Sequence, residues 1–317
     1  MQILIAGPTA ARPFLEALGK AISRPDLEVE LHFDLKRLTD YPAWADVDVV
    51  VAYSIPCSDD DMAAAPNLRA IIVPSLGYEG IDVASARRRS IAVANGRAQE
   101  NFETVAEAAI LFILMTLYDI HASETRLRSG LQRSGPPAAR MLKGKVVGLI
   151  GYGNIAQSIT ARLRGWGVTV LVTGRRPLVF DDPAIEQCDL ATLLEQSDIV
   201  LPLVPLAPET RHLLSKAEFL RMKQGAILVN LSRGQVIDEH ALHDPEVSAH
   251  LGGIALDVFE VEPLPLDSPL LARANTILTG HEIAHTQENL RALFETAVTN
   301  IEHALAGSEL PTALYVT

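Results

Sequence analysis

Cysteine is nearly absent. Cys57 and Cys188 are the only two in 317 residues, and they lie far apart in the chain. That count excludes a disulfide framework and points to a reducing compartment, hence to the cytoplasm. A basic excess is missing too: 27 Lys and Arg stand against 39 Asp and Glu, a formal net charge of −12. Nucleic-acid binding needs a basic face, so that partner class is excluded, whereas a local pocket for one small anion is not. Long apolar runs are lacking. The longest, "VAEAAILFILMTLYDI", is broken by Glu107 and Asp119. It falls short of the about 20 residues a membrane span requires and reads as a buried helix. The opening "MQILIAGPTA" has neither the basic region nor the apolar core of a secretory signal and reads as a strand. Internal repeats and low-complexity segments are absent as well.

What is present is alternation. Hydrophobic residues make up 48 % of the chain, enough for packed cores, and the length suits two domains. In the first hundred residues "MQILIAG", "LEVELHF", "DVDVVVAYS", "LRAIIVPS" and "SIAVANG" read as strands, with "ARPFLEALGKAI" and "IDVASARRR" as helices. Such alternation builds a parallel sheet covered by helices on both faces. Arg87, Arg88 and Arg89 suit the solvated end of a helix, where cations meet the negative pole of its dipole; the alternative is an anion patch. One long apolar helix is expected from Glu103 to about Leu127. The extended arm after it, "RSGLQRSGPPAARMLKGK", has a composition that suits a partner subunit. From Lys145 a second series begins, with strands at "VVGLI", "VTVLVT", "DIVLPLV", "AILVNLS", "GIALDVF" and "TILTG". "NIAQSITARLRGW", "SKAEFLRM" and "DEHAL" read as helices between them. A final amphipathic helix, "QENLRALFETAVTNIEHALAG", ends at Gly307 as its cap.

"GYGNIA", Gly151 to Ala156, follows a strand and opens a helix. In that context the pattern fits a dinucleotide: Gly151 for the tight turn, Gly153 for close approach of a pyrophosphate, Ala156 for packing of helix on sheet. The helix N-terminus offers free N–H groups to the phosphates. One more residue type is missing here. An acid at the end of the second strand would bind the ribose 2′-OH, yet Gly174 stands there, followed by Arg175 and Arg176. Two guanidinium groups without a neighbouring acid suit the 2′-phosphate of NADP(H). The alternative is a pair of exposed loop arginines.

Three later strands each end in polar residues: Arg233 after one, Asp257 and Glu262 after the next, His281 after the last. In an open parallel sheet, ligands bind at the carboxyl ends of strands, so these converge on one edge. A guanidinium clamps a carboxylate and polarises a carbonyl. An imidazole moves a proton near neutral pH, and a carboxylate beside it favours the charged ring. Opposite a nicotinamide, such a set would reduce a 2-keto acid. His285 competes with His281 for the histidine role.

The segments "LGYEGID", "LKGKVVGLIGYGNIA", "VPLAPETRHLL", "MKQGAILVNLSRGQVIDEHAL", "ALDVFEVEPLPLDSPLL" and "LTGHEIAHT" carry a resemblance to the D-isomer-specific 2-hydroxyacid dehydrogenases over nearly the whole chain. "VTGRRP" is similar to the NADP-using glyoxylate/hydroxypyruvate reductases among them. The resemblance implies two doubly wound α/β domains. Residues 1–98 and 287–317 would form a flavodoxin-like substrate domain, and 99–286 an inserted Rossmann domain. It implies Arg233 as carboxylate binder, His281 as acid/base and Glu262 as its partner. The backbone of Ser75, Leu76 and Gly77 would meet the substrate carboxylate. Cofactor contacts would come from Gly151, Gly153, Asn154, Ile155, Gly174, Arg175, Arg176, Val204, Pro205, Thr210, Leu231, Ser232 and Asp257. NADP(H) would be preferred with NAD(H) possible, no metal is called for, and the assembly would be a homodimer. Departures from the family pattern are Gly280 for a proline, Ala207 for a threonine, Glu282 for an apolar residue and Ala284 for a glycine. Alternative functions are a phosphite-type dehydrogenase of the same fold and a nucleotide-sensing corepressor; the formate dehydrogenases carry glutamine where this chain has Glu262.

Overall fold

The computed structural model describes residues 1–131 and 138–315. The chain divides into two compact units, Met1–Asn101 with Thr286–Thr317, and Phe102–His285.

The first unit is built on β1 (Gln2–Gly7), β2 (Glu28–Phe33), β3 (Val49–Ala52), β4 (Ala70–Val73) and β5 (Ala92–Asn95). All pair parallel, in the order β2-β1-β3-β4-β5, which is the flavodoxin order. β3 and β4 are buried throughout, as expected of central parallel strands with helices on both faces. Helices Arg12–Ile22 and Gln287–Ala306 cover one face, setting Leu15, Leu18, Ala297 and Ile301 against Ile3, Ile5 and Val51. Trp44, Met62 and Leu68 cover the other. The last helix starts on Thr286, whose hydroxyl accepts the Asn289 N–H. It stops at Gly307 in the left-handed region, φ 67°.

The second unit holds β6 (Val146–Ile150), β7 (Thr169–Thr173), β8 (Ile185–Gln187), β9 (Ile199–Pro202), β10 (Ile227–Asn230), β11 (Gly253–Leu256) and β12 (Thr276–Leu278). Their order is β12-β11-β10-β9-β6-β7-β8, all parallel. Counted from β6, this is the Rossmann order with one strand added at the edge. The strand order reverses between β6 and β9, which places the "GYGNIA" turn at the switch point.

Two sequence expectations change. The helix expected from Glu103 to Leu127 is two, Gln99–Leu117 and Ile120–Arg128, bent by 56°. Asp119 between them is left-handed, φ 48° and ψ 48°. The cause is a change of environment at Leu117. Ala106, Ala109, Phe112, Ile113 and Leu117 are buried in the core of the unit, whereas nothing in Ile120–Arg128 is. The Leu117 carbonyl, which a continuing helix would bond, instead accepts the Arg140 N–H at 2.9 Å. Among the described residues no single helix is long and apolar enough to cross a membrane. Second, "DEHAL" forms only a 3-10 turn, His240–His243, because Pro245 holds Asp244 extended (φ −61°, ψ 129°). Arg87 and Arg88 do end the helix Val83–Arg88 and are exposed, and Arg88 and Arg89 also reach Asp59, at 3.6 and 3.0 Å. The expected arm falls partly on residues 132–137, outside the described residues.

Candidate active site

The nucleotide end starts where β6 stops. Gly151 takes φ 101°, and a Cβ there would lie 3.0 Å from Val204 Cγ1 and 3.1 Å from the Leu203 oxygen. Both conformation and space require glycine. Gly153 is different. It is extended and caps the helix Asn154–Leu163, yet a Cβ on it would meet nothing within 4 Å. Packing does not require a glycine there; open space is what a phosphate approaching the backbone needs. No side chain caps this helix, so the first-turn N–H groups at Asn154 and Ile155 keep their positive potential. Ala156 is fully buried against the sheet.

Beyond β7 the residues Gly174, Arg175 and Arg176 are exposed. Neither guanidinium bonds to a described residue. The loop itself is held by Gln187, a residue the sequence did not single out: its Nε2 donates to the carbonyls of Arg176 (2.8 Å) and Gly174 (3.3 Å), and its Oε1 accepts the Leu178 N–H (2.8 Å). Thr210 is engaged in its own loop. Its hydroxyl donates to the Pro205 carbonyl at 2.6 Å and accepts the Ala207 N–H at 2.8 Å.

The chemical end is built on three strand termini. Asn230, the fully buried last residue of β10, organises the first. Its Oδ1 accepts the N–H and hydroxyl of Ser232 (3.0 and 2.8 Å), and its Nδ2 donates to the Arg233 carbonyl (2.9 Å). Leu231 packs on the core, and Arg233 follows in extended conformation. Gly234 then passes under the next loop, where a Cβ would come within 1.9 Å of the Phe259 carbonyl carbon.

Asp257, 4 % exposed just after β11, shapes the histidine segment. Its carboxylate accepts the Thr279 hydroxyl and the N–H groups of Glu282 (3.1 Å) and Ile283 (3.2 Å). Its carbonyl accepts the His281 N–H at 2.7 Å. His281 has φ 59°, a conformation rare outside glycine. The His281 ring meets Glu262: Nδ1 lies 2.8 Å from Oε2. The other Glu262 oxygen accepts the Phe259 N–H at 3.0 Å. The bond from Glu262 raises the His281 pKa, with burial and the Arg233 charge opposing and the Glu262 and Asp257 charges assisting. Burial works to raise the Glu262 pKa, but the bonds from His281 and Phe259, with the His281 and Arg233 charges, outweigh it and hold it below the usual range. Arg233 therefore acts on both members of the pair. His285 is exposed, and its ring makes no hydrogen bond among the described residues. Gly280 has nothing near its missing side chain and opens on a pocket of about 290 Å³ beside Glu262.

Ser75, Leu76 and Gly77 belong to the first unit, just past β4. Their carbonyls are tied down, that of Ser75 by the Gly96 N–H (2.8 Å), that of Leu76 by the Asn95 amide (2.7 Å) and that of Gly77 by the Ser75 hydroxyl (3.0 Å). Their N–H groups have no partner among the described residues. No cluster of three metal-ligating side chains occurs among the described residues.

Residues 110–282 match the family model of the D-isomer specific 2-hydroxyacid dehydrogenase, NAD binding domain. Over 249 residues the sequence is 35 % identical to a glyoxylate/hydroxypyruvate reductase B of Enterobacter sp. (strain 638), covering 77 % of this chain and 76 % of that one. Over 280 residues it is 34 % identical to a hydroxypyruvate reductase of Thermotoga maritima, covering 87 % and 90 %. Among solved structures, a glyoxylate reductase from Paecilomyes thermophila is similar at a TM-score of 0.86 and 25 % identity, over 99 % of this chain and 98 % of that one.

Proposed function

The chain belongs to the D-isomer specific 2-hydroxyacid dehydrogenase family, and on that premise we propose that it is an NADPH-preferring reductase of small 2-keto acids of the glyoxylate and hydroxypyruvate type, forming D-2-hydroxy acids. The observation that carries this reading is the Glu262–His281 pair at 2.8 Å. The relatives named glyoxylate and hydroxypyruvate reductases support the substrate class.

The residues fit a nicotinamide dinucleotide. Gly153 leaves a cradle that a Cβ would enter, the helix behind it is uncapped, and Arg175 and Arg176 have no partner among the described residues. Bound there, the cofactor supplies the hydride. Arg233 binds the substrate carboxylate and polarises the adjacent carbonyl. The amides of Ser75, Leu76 and Gly77, without a partner among the described residues, suit a carboxylate too. His281, with Nδ1 committed to Glu262, presents Nε2 as the group that donates a proton to the carbonyl oxygen. Asp257 contributes by fixing the backbone on which that ring stands. We also assign the protein to the cytoplasm, from its two free cysteines, and read it as a homodimer.

The test is a panel of glyoxylate, hydroxypyruvate, pyruvate, phenylpyruvate and phosphite with both NADPH and NADH. The highest kcat/KM is expected for glyoxylate or hydroxypyruvate with NADPH. Nucleotide binding without turnover of any of them would overturn the reading. A charge-assisted hydrogen bond contributes about 1.5–3 kcal/mol, so two are worth about a hundredfold or more in affinity. Replacing Arg175 and Arg176 together by Ala should raise the KM for NADPH on that scale and leave that for NADH nearly unchanged.

A further inference from the structure

β8 is only three residues long and forms one edge of its sheet. Its register sets Gln187 beside Val172, and the Cys188 N–H closes the pairing on the Val172 carbonyl at 2.9 Å. Gln187 therefore stands at the same end of the sheet as the loop that begins at Gly174. Its amide crosses to that loop and spans it, bonding at Gly174, Arg176 and Leu178. A primary amide has two donor hydrogens and one carbonyl acceptor, and here all of them address the backbone of one five-residue segment. Among the described residues no other side-chain hydrogen bond holds the segment. Arg175 and Arg176 have no anionic partner among the described residues that would fix them, and two adjacent cations repel each other. Gly174 at the start of the loop adds conformational freedom. Where the two guanidinium groups emerge is thus set by backbone that Gln187 clasps.

We propose that Gln187 is a positioning residue for cofactor choice: by bonding the Gly174, Arg176 and Leu178 backbone it presents Arg175 and Arg176, already ordered, to a 2′-phosphate. The proposal rests on the reading of these arginines as the 2′-phosphate site. An ordered loop spares the ligand the entropy of ordering it, and the saving applies only to ligands that use the loop. Loss of Gln187 should therefore weaken ligands carrying a 2′-phosphate and spare those without it.

The experiment measures equilibrium binding by calorimetry on the full-length protein, with adenosine 2′,5′-bisphosphate against adenosine 5′-monophosphate, and NADPH against NADH. Gln187→Met keeps the length of the side chain and removes its hydrogen bonds. One such bond shifts an equilibrium by about two- to twelvefold. Gln187→Met is expected to weaken the bisphosphate and NADPH about three- to tenfold, and the monophosphate and NADH less than twofold. Gln187→Glu is expected to do more. Its carboxylate still accepts from Leu178 but donates to neither carbonyl, and it brings a negative charge towards the phosphate. Retained binding of the monophosphate shows that each variant is folded. Equal loss for both ligand classes, or no loss for either, overturns the proposal. If the Arg175→Ala, Arg176→Ala variant loses discrimination while Gln187→Met retains it, the clasp alone is wrong. If the arginine variant discriminates like the parent, the phosphate site falls and the clasp with it.

Discussion

His281 occupies a backbone region that costs a non-glycine residue about 1–3 kcal/mol, and its surroundings hold it there. Asp257 takes its N–H and those of the next two residues, while Glu262 takes its ring. Such over-determination aims one imidazole nitrogen, and on the proposed reading His285 takes no part. His281→Ala should lose about 10²–10⁴ in kcat while still binding NADPH, the usual cost of removing a positioned general acid. His285→Ala should cost far less. Steady-state kinetics on the two variants decide between them, and a larger loss at His285 would refute the assignment. The pH dependence follows from the direction of the shift. Reduction needs the imidazolium, so the rate is full below the His281 pKa and falls as pH rises through it. Glu262 raises that pKa above the ordinary histidine value, which places the falling limb correspondingly higher. Glu262→Gln removes the carboxylate and should move the limb to lower pH. A limb that stays in place in the variant would separate Glu262 from the proton transfer.

At the scale of elements, the site hangs on turns that follow strands, and two glycines in them do opposite work. Gly234 lies against the Phe259 backbone, where a methyl group has no room. Gly234→Ala must push the Arg233 turn away from the loop after β11. We expect it to destabilise the fold by about 1–3 kcal/mol, the range for overpacking, and to raise the KM for the keto acid. Gly153 faces open space, so Gly153→Ala should leave stability unchanged and weaken nucleotide binding instead. Urea unfolding midpoints and nucleotide titrations separate the two, and a similar loss of stability in both would contradict this account. The glycine turn was legible because strand, glycine spacing and helix are written consecutively. The bend at Asp119 was not, because the end of burial at Leu117 stops the first helix, and burial is decided by packing rather than by neighbours in the chain.

For the whole molecule, we propose that the helix pair Gln99–Leu117 and Ile120–Arg128 contributes to a symmetric dimer. Leu111, Tyr118, Ile120 and Leu127 expose between 45 % and 78 % of their surface, a concentration of large apolar side chains on this pair of helices and the turn that joins them. Two-fold dimers are also the commonest assembly of soluble chains. Light scattering at micromolar concentration should return twice the chain mass of 34.3 kDa, and a monomer mass would count against the proposal. Replacing Leu111 and Leu127 by Asp should shift the dimer towards monomer.

The sequence by itself determined the two α/β sheets, the glycine turn, the absent acid at Gly174 and the polar residues that end three late strands. Each of these is a local matter of hydrophobic periodicity, turn chemistry and spacing, and a residue carries it together with its near neighbours. Tertiary structure decided the rest. Nothing near Gln187 in the chain shows that its amide would fold back on residues 174–178, since the contact depends on the register of an edge strand three residues long. The family resemblance implied a place beside the cofactor for Asp257, and only the fold shows its carboxylate turned to the main chain of residues 282 and 283. Asn230 gave no signal at all, because a buried amide that ties down the turn before Arg233 reads in sequence as the polar end of a strand. Side-chain bonds to distant backbone have no period, so packing alone could reveal them.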